Sequence, residues 1–501
     1  MHAQIRKVGI GLCIAFTAVF VQLNYVQIFA AERIAENNAN PRALLQQYSI
    51  KRGDILTLDG ERVAVSEDTG GKLRYRRTYP GGELYGHITG YYSITYGSSR
   101  IEASFNDALL GDSGVITMQD IEDRLFGRKQ DQGDDVRLTV HSRLQEVART
   151  ALGSNRGAVV ALDPSNGEVR AMWSNPSYDP TQLASFESKE ATSHWRSLSP
   201  KSSKSPLISI ATSGGYPPGS TFKTVTASAA LESGEYTPRS TFPDPERLEP
   251  CSKTEGDEPC MPLTTKSLTN FSNTACVGGG QIDLFLALQV SCDTTFAIIG
   301  LEIPDEIRET SEAFGFNSEI EFDVGNEPSR FPDIEDEDAP LRAYAGIGQG
   351  DVVATPLQMA LVAAGIANGG EVPRPRLVRE IISPSGSIVR SFGPETLSEA
   401  VSATTADTVT EMMVAAVEDG TGTAAQIPGV EVAGKTGTAQ TVEGADPHTW
   451  FISFAPADDP KLVVAVLVEN GGTLGSEATG GAVAAPIAKA LLDMDRSIRG
   501  W

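Results

Sequence analysis

The stretch RGAVVALDPSNGEVRAMWSNPSYDP, residues 156–180, predicts how the larger part of the chain folds. Two alternating apolar runs flank Pro164-Ser165-Asn166-Gly167, and Asn-Gly between such runs is typical of a β-hairpin. Further strands are predicted at 430–442, 449–454 and 462–468, and helices at 355–369, 405–417 and 483–492. Consecutive strands mixed with helices predict an α+β domain with an antiparallel sheet.

At 501 residues the chain is too long for one ordinary core, so we expect two or three domains. We place residues 1–31 in a cytoplasmic stub and membrane anchor. Residues 32–135, with short alternating runs rich in glycine and tyrosine, form a small mixed or β-rich module. Residues 136–501 form the α+β domain.

The chain carries a formal charge of −24, which excludes nucleic acid as a partner because phosphate binding needs a basic face. The five histidines are scattered without metal-ligand spacing. We therefore expect neither a metal nor an organic cofactor.

An apolar segment near the N-terminus predicts a membrane anchor. No charged residue lies between Val8 and Ala31, which is long enough to span a bilayer. Arg6 and Lys7 precede it, so the positive-inside rule leaves the N-terminus in the cytoplasm and the catalytic part outside, on a single-pass plasma-membrane protein. A cleaved signal peptide is the alternative, disfavoured because bulky residues stand three places before the candidate cut sites at Ala30 and Ala31.

Four cysteines follow the anchor, in a compartment where disulfides persist. They allow three pairings, and sequence does not choose among them. A bond between Cys251 and Cys260 is plausible in the polar stretch PCSKTEGDEPC. For Cys276 and Cys292, buried free thiols are the alternative.

Ser220-Thr221-Phe222-Lys223 is the first stretch that carries chemistry. It follows Gly214–Gly219, which cannot be helical, and it opens a helix-forming run, so Ser220 and Lys223 share one face at a helix start. A serine needs a base to become a nucleophile, and burial with the helix N-terminus favours a neutral lysine. The alternative is an ordinary helix cap beside a solvated lysine.

Lys435-Thr436-Gly437-Thr438 is predicted to lie on a strand. Gly437 removes a side chain where a ligand would approach the backbone, and the lysine and hydroxyls suit a substrate carboxylate. Gly429 and Gly434-Lys435-Thr436 also fit the spacing of a nucleotide-binding P-loop, but that loop needs a helix after the threonine, where this sequence looks extended. Ser291-Cys292-Asp293, a polar break between apolar stretches, offers a second serine for proton relay.

Taken in order, Ser-x-x-Lys, Ser-x-Asp and Lys-Thr-Gly resemble the signature of the penicillin-interacting serine enzymes. With the anchor, the chain resembles the class B penicillin-binding proteins, and its short first module is most similar to the actinobacterial penicillin-binding protein A family, as a pedestal or dimerisation-like module. Other short segments also resemble motifs of this family: Arg52–Ile55, Gly346–Gly350 before Thr355-Pro356, Gly420–Gly422 and Trp450-Phe451.

This resemblance implies a peptidoglycan D,D-transpeptidase domain over residues 136–501, cross-linking stem peptides in wall growth or division. Ser220 would be the nucleophile and Lys223 its base, while Ser291 passes a proton to departing D-alanine. The N–H groups of Ser220 and Thr438 would form the oxyanion hole. Lys435 would be a further catalytic residue and would hold the substrate carboxylate together with Thr436 and Thr438. Gly437 and Asp293 would also belong to the substrate-binding site, and β-lactams would acylate Ser220.

Asp293 departs from the family, whose middle motif ends in asparagine. An amide donates to a substrate carbonyl, whereas a carboxylate only accepts. The open alternatives are that Asp293 is protonated, that it pairs with Lys223 or Lys435, or that it marks an altered substrate preference or a reduced activity. The rival functions are a β-lactamase or D,D-carboxypeptidase, and a non-catalytic scaffold or β-lactam sensor. By resemblance, the expected protein partners are a polytopic lipid II polymerase and other wall-assembly proteins.

Overall fold

The structure is a computed structural model, which describes residues 2–25, 45, 47–111, 132–251, 260–262, 264, 266–271, 273–334, 338–440 and 445–501. Its helices, in chain order, are α1 His2–Asn24, α2 Gly86–Thr89, α3 Arg100–Ser104, α4 Asn106–Leu109, α5 Ser142–Leu152, α6 Ser188–Ser197, α7 Lys223–Glu232, α8 Leu284–Val290, α9 Asp293–Glu302, α10 Pro304–Ala313, α11 Ala339–Gly346, α12 Pro356–Ala367, α13 Ala403–Glu418 and α14 Ala485–Arg499.

The strands, in chain order, are β1 Ile55–Leu56, β2 Arg62–Asp68, β3 Tyr75–Thr78, β4 Tyr92–Ser93, β5 Gly97–Ser98, β6 Asp135–Leu138, β7 Gly157–Leu162, β8 Val169–Asn175, β9 Thr241–Pro243, β10 Arg247–Leu248, β11 Pro250–Cys251, β12 Met261–Pro262, β13 Leu268–Thr269, β14 Gln281–Asp283, β15 Glu371–Pro373, β16 Val378–Ile382, β17 Ile388–Ser391, β18 Thr396–Glu399, β19 Ala433–Ala439, β20 His448–Ala455 and β21 Leu462–Val468.

An antiparallel sheet of five strands, in the order β19-β20-β21-β7-β8, forms the centre of the larger domain. The predicted hairpin is confirmed as β7 and β8, paired from Gly157 opposite Asn175. At its tip Gly167 has a φ of +71°, and a Cβ there would lie 2.0 Å from the carbonyl oxygen of Arg374. The turn therefore needs glycine for its conformation and for the close approach of a neighbouring loop.

Both faces of this sheet are covered, which explains why every residue of β7, β20 and β21 is buried. Alternate residues point to opposite sides, so Val160, Ile452 and Ala465 join one buried cluster while Val159 and Phe451 join another. Helix α12 packs on the first face, and α14 with α5 packs on the second. The predicted α+β domain with an antiparallel sheet flanked by helices is confirmed.

The predicted helices and strands differ from the structure mainly at their ends. Strand β19 begins at Ala433 and ends at Ala439, and residues 441–442 of the prediction lie outside the described part. The last helix is longer than predicted: it runs to Arg499 and is preceded by a π turn at Gly480–Ala484. Short 3-10 turns occupy Gly82–Tyr85, Pro180–Gln182, Gly219–Phe222, Thr423–Ala425, Glu469–Gly471 and Gly475–Glu477.

The first module shares a second sheet with a much later part of the chain. Its strand order is β17-β16-β6-β1-β2-β3, so β16 and β17 continue the sheet of the module through β6. The predicted boundary between residues 135 and 136 falls inside β6. Behind this sheet, the buried carboxylate of Glu102 accepts hydrogen bonds of 2.6 Å each from Nε of Arg52 and Nε of Arg77.

Helix α1 includes residues 8–24 of the predicted membrane segment. Residues Arg6–Asn24 are long and apolar enough to cross a membrane, and no part of this stretch is buried against the protein. Ala30 and Ala31, at the candidate cleavage sites, lie outside the described residues.

Candidate active site

Ser220 lies on a 3-10 turn, Gly219–Phe222, that leads directly into α7. The helix start predicted for Ser220 and Lys223 is therefore confirmed, with the difference that its first turn is 3-10. Gly219 has a φ of +54° and donates its N–H to the carbonyl of Gly348 at 2.9 Å. Ser220 remains partly exposed, while the three residues that follow are buried.

Strand β19 lies directly against this turn. A Cβ on Gly437 would lie 2.8 Å from the carbonyl oxygen of Pro218 and 2.9 Å from Cγ2 of Thr221. The indole N–H of Trp450, on the next strand, donates to Pro217 at 2.9 Å. The prediction that Gly437 makes room for a ligand is wrong in detail, because the turn that carries Ser220 occupies that space.

Lys223 is the first residue of α7, and its side chain is 0% exposed. Its ammonium donates to Oδ1 of Asp293 at 2.7 Å and to the carbonyl of Ser291 at 2.8 Å, and lies 3.4 Å from Oγ of Ser291. Burial lowers the pKa of Lys223, and the neighbouring carboxylate of Asp293 opposes this by favouring the charged form.

Ser291 lies between the two lysines of the motifs. It caps the end of α8 in the left-handed conformation, with a φ of 63°. Its Oγ accepts a hydrogen bond of 2.7 Å from Nζ of Lys435, and its other neighbour is Lys223. The hydroxyl thus joins the first and third motifs in one network of hydrogen bonds.

Lys435 is fully buried on β19. Apart from Ser291, its Nζ contacts the carbonyl of Thr436 at 3.1 Å. Burial lowers the pKa of Lys435 well below its usual range, the charge of Lys223 lowers it further, and Asp293 offsets this in part.

Asp293 is the first residue of α9, and 16% of its side chain is exposed. Of the alternatives that the sequence left open, the structure contains the ion pair with Lys223. This carboxylate also lies at a helix N-terminus, where negative charge is favoured.

Thr436 and Thr438 complete the third motif. The hydroxyl oxygen of Thr436 lies 2.6 Å from that of Thr421, on the turn after α13. The sequence does not predict that Thr421 is the partner of Thr436, although Gly420–Gly422 resembles a motif of the family. Thr438 is half-buried on β19, which is an edge strand, so its outer side has no neighbouring strand in its sheet.

The P-loop alternative for this motif is wrong. Residues 434–439 form part of β19, so the residues directly after Thr436 are strand and not helix. A P-loop requires a helix N-terminus at that point to bind phosphate.

A disulfide holds the middle motif in place. Cys292 is bonded to Cys276 with a Cα–Cα distance of 5.7 Å, so the alternative of free thiols at these positions is wrong. Asp244 anchors the same segment by accepting from the N–H groups of Cys276 at 2.7 Å and Val277 at 2.8 Å. The plausible bond between Cys251 and Cys260 is confirmed.

Comparison with known proteins matches this site to one family. Residues 157–493 match the penicillin binding protein transpeptidase domain, and residues 52–136 match the penicillin binding protein A dimerisation domain. The chain belongs to the penicillin-binding protein transpeptidases. The predicted resemblance to class B and to the penicillin-binding protein A family is confirmed.

Two relatives of this penicillin-binding protein align over almost its whole length. Peptidoglycan D,D-transpeptidase PbpA of Mycolicibacterium smegmatis is 38% identical over 98% of this chain and 98% of its own. PbpA of Mycobacterium tuberculosis is 36% identical over 98% and 99%.

Solved structures of penicillin-binding proteins share the fold. Penicillin-binding protein A from M. tuberculosis, as a ceftriaxone acyl-enzyme complex, has a TM-score of 0.82 at 36% identity, covering 90% of this chain and 99% of that chain. The D,D-transpeptidase domain of a peptidoglycan glycosyltransferase from Eggerthella lenta has a TM-score of 0.76 at 33% identity, covering 90% and 99%.

Proposed function

We propose that Ser220 is the nucleophile with which this peptidoglycan D,D-transpeptidase attacks stem peptides. Its Oγ bonds to the carbonyl carbon of the penultimate D-alanine, and Lys223 takes the hydroxyl proton. The observation that carries this assignment is the single hydrogen-bond network of Lys223, Ser291 and Lys435, next to the turn of Ser220. Burial of Lys223 favours the neutral amine that a general base requires.

The N–H groups of Ser220 and Thr438 bind the oxyanion. Thr438 lies on an edge strand, so no other strand of its sheet pairs with the outer side of its backbone. As the C–N bond breaks, Ser291 gives its proton to departing D-alanine and is reprotonated through the lysines. Lys435, Thr436 and Thr438 bind the terminal carboxylate, and Asp293 borders the substrate site. Gly437 lets β19 pack against the turn that carries Ser220.

The acyl group on Ser220 then passes to an amine of a neighbouring strand, which forms the cross-link. Water in place of that amine would give the D,D-carboxypeptidase outcome. A β-lactam, which presents its carbonyl to Ser220 in the same way, forms the acyl-enzyme and blocks the site.

For the setting of the enzyme, we propose that α1 spans the plasma membrane once, with the N-terminus in the cytoplasm. Arg6 before the apolar run supports this orientation. By family resemblance, the partners are a polytopic lipid II polymerase and other wall-assembly proteins.

Covalent labelling tests the nucleophile. The full-length chain in detergent is incubated with a fluorescent penicillin, beside Ser220→Ala and the control Ser213→Ala, in a partly exposed serine of the preceding loop. We expect a lasting adduct, by gel and intact mass, in the wild type and the control but not in Ser220→Ala. An adduct that decays rapidly would indicate a hydrolase. No adduct on folded wild-type protein would leave the scaffold or sensor as the leading function.

A further inference from the structure

The active site encloses two lysines, and among the residues that the structure describes a single carboxylate, that of Asp293, contacts them. Lys223 and Lys435 are both fully buried, and both contact the hydroxyl of Ser291. Two ammonium groups so close together and out of water disfavour each other's charge. The position of the neighbouring carboxylate therefore decides which lysine holds a proton.

Asp293 is not shared equally between the lysines. Its Oδ1 lies 2.7 Å from Nζ of Lys223, as a hydrogen-bonded ion pair. Lys435 instead contacts Oγ of Ser291 and the carbonyl of Thr436, which are uncharged. Asp293 therefore favours the charge on Lys223 directly, and on Lys435 only through space.

The other groups facing Lys223 do not change this balance. Among the described residues, the charged groups near its ammonium are Asp293, from α9, and Lys435, from β19. The remaining contacts are Ser291 and the ring of Phe296, whose centroid lies 5.6 Å away. With an amide in place of Asp293, Lys223 would contact none of the carboxylates in the described part of the chain.

We propose that Asp293 is a positioning residue that keeps the proton of the site on Lys223 in the free enzyme. Acylation of Ser220 then requires a higher pH than it would with an amide at this position. The inference rests on the proposed roles of Ser220 and Lys223. As the pH rises, Lys223 loses this proton to solvent water and becomes the neutral amine that accepts the proton of Ser220.

The test is the pH dependence of acylation. The second-order rate constant for labelling by a fluorescent penicillin is measured from about pH 5 to 10 on the full-length chain in detergent, for the wild type, Asp293→Asn and Asp293→Glu. We expect the midpoint of the acid limb to fall by about 1–3 pH units in Asp293→Asn, the range for loss of a contacting opposite charge. Asp293→Glu, which keeps the charge, should retain a midpoint near that of the wild type.

An unchanged midpoint in folded Asp293→Asn would overturn the proposal. A merely structural role would lower the rate by one factor at every pH and leave the midpoint in place. Thermal unfolding shows which variants are folded, and if Asp293→Asn is not, Asp293→Ser replaces it as the uncharged variant. The outcome is separate from that of the labelling of Ser220→Ala, because a wrong nucleophile would leave that variant labelled whatever the midpoints are.

Discussion

Thr421 places its hydroxyl oxygen 2.6 Å from that of Thr436, across the turn between α13 and β19. Thr436 is one of the residues proposed to bind the substrate carboxylate, and the hydrogen bond with Thr421 restricts the orientation of its hydroxyl group. A threonine hydroxyl has one donor proton and two acceptor lone pairs, so each hydrogen bond limits the directions in which the group can point.

Replacing Thr421 by valine keeps the shape of the side chain and removes this partner. We expect acylation by penicillin to slow by about fivefold, the equivalent of one hydrogen bond of about 1 kcal/mol. The rate constant of labelling measures the effect. Thr423→Val, an exposed threonine of the same turn, is the matched control and should label at the wild-type rate. Equal rates for both variants would show that Thr421 does not assist Thr436.

At the scale of elements, the contact of β19 with the turn of Ser220 depends on Gly437. A methyl group there would lie 2.8 Å from the carbonyl oxygen of Pro218, closer than real Cβ atoms approach. Gly437→Ala must therefore push the strand and the turn apart.

We expect Gly437→Ala to lower the free energy of unfolding by about 1–3 kcal/mol and to abolish most labelling by penicillin. Gly393→Ala is the control, since no atom lies within 4 Å of a Cβ at that position. Thermal unfolding and the labelling rate measure both effects. Wild-type labelling in Gly437→Ala would mean that the turn and the strand move independently.

The sequence was informative about elements whose signal is local. The hairpin of β7 and β8 follows from Asn166-Gly167 between apolar runs, and the helix at Ser220 follows from the glycine-rich turn before it. Contacts between distant segments had no such signal. The pairing of Lys223 with Asp293 needed the structure, because two lysines and one carboxylate allow either choice until the distances are known.

On the scale of the whole molecule, the shared sheet makes the first module and the larger domain one folding unit. Strand β6 pairs with β1 on one side and with β16 on the other. An ion pair of 2.7 Å between Arg137 and Glu380 crosses the same junction. A substitution that destabilises the first module should therefore also lower the stability of the larger domain.

We expect Glu102→Gln to lower the melting temperature of the entire chain in one transition. The substitution leaves the buried guanidinium groups of Arg52 and Arg77 without their carboxylate, which costs about 3–5 kcal/mol. Glu67→Gln, in an exposed ion pair of 3.5 Å with Arg76, should have little effect. An early transition of the module alone in calorimetry would contradict the single unit.

The same substitution has a pH signature. Burial disfavours the charged form of Glu102, but Arg77 and Arg52 outweigh it and lower the pKa of this carboxyl group. A lowered pKa in the folded state gives stability that is present above the unfolded value, about 4.3, and is lost as the pH falls through the folded value. The difference in melting temperature between Glu102→Gln and wild type should therefore narrow in acid.

The shared sheet also sets an order of events during synthesis. The ribosome makes the strand containing Arg137 well before the one containing Glu380, its partner 243 residues later in the sequence. Until that segment emerges, β6 has one unpaired edge, and unpaired edges invite association with other chains. The sheet of the first module therefore stays incomplete until β16 has been synthesised. A chaperone that binds this unpaired edge would act during that interval.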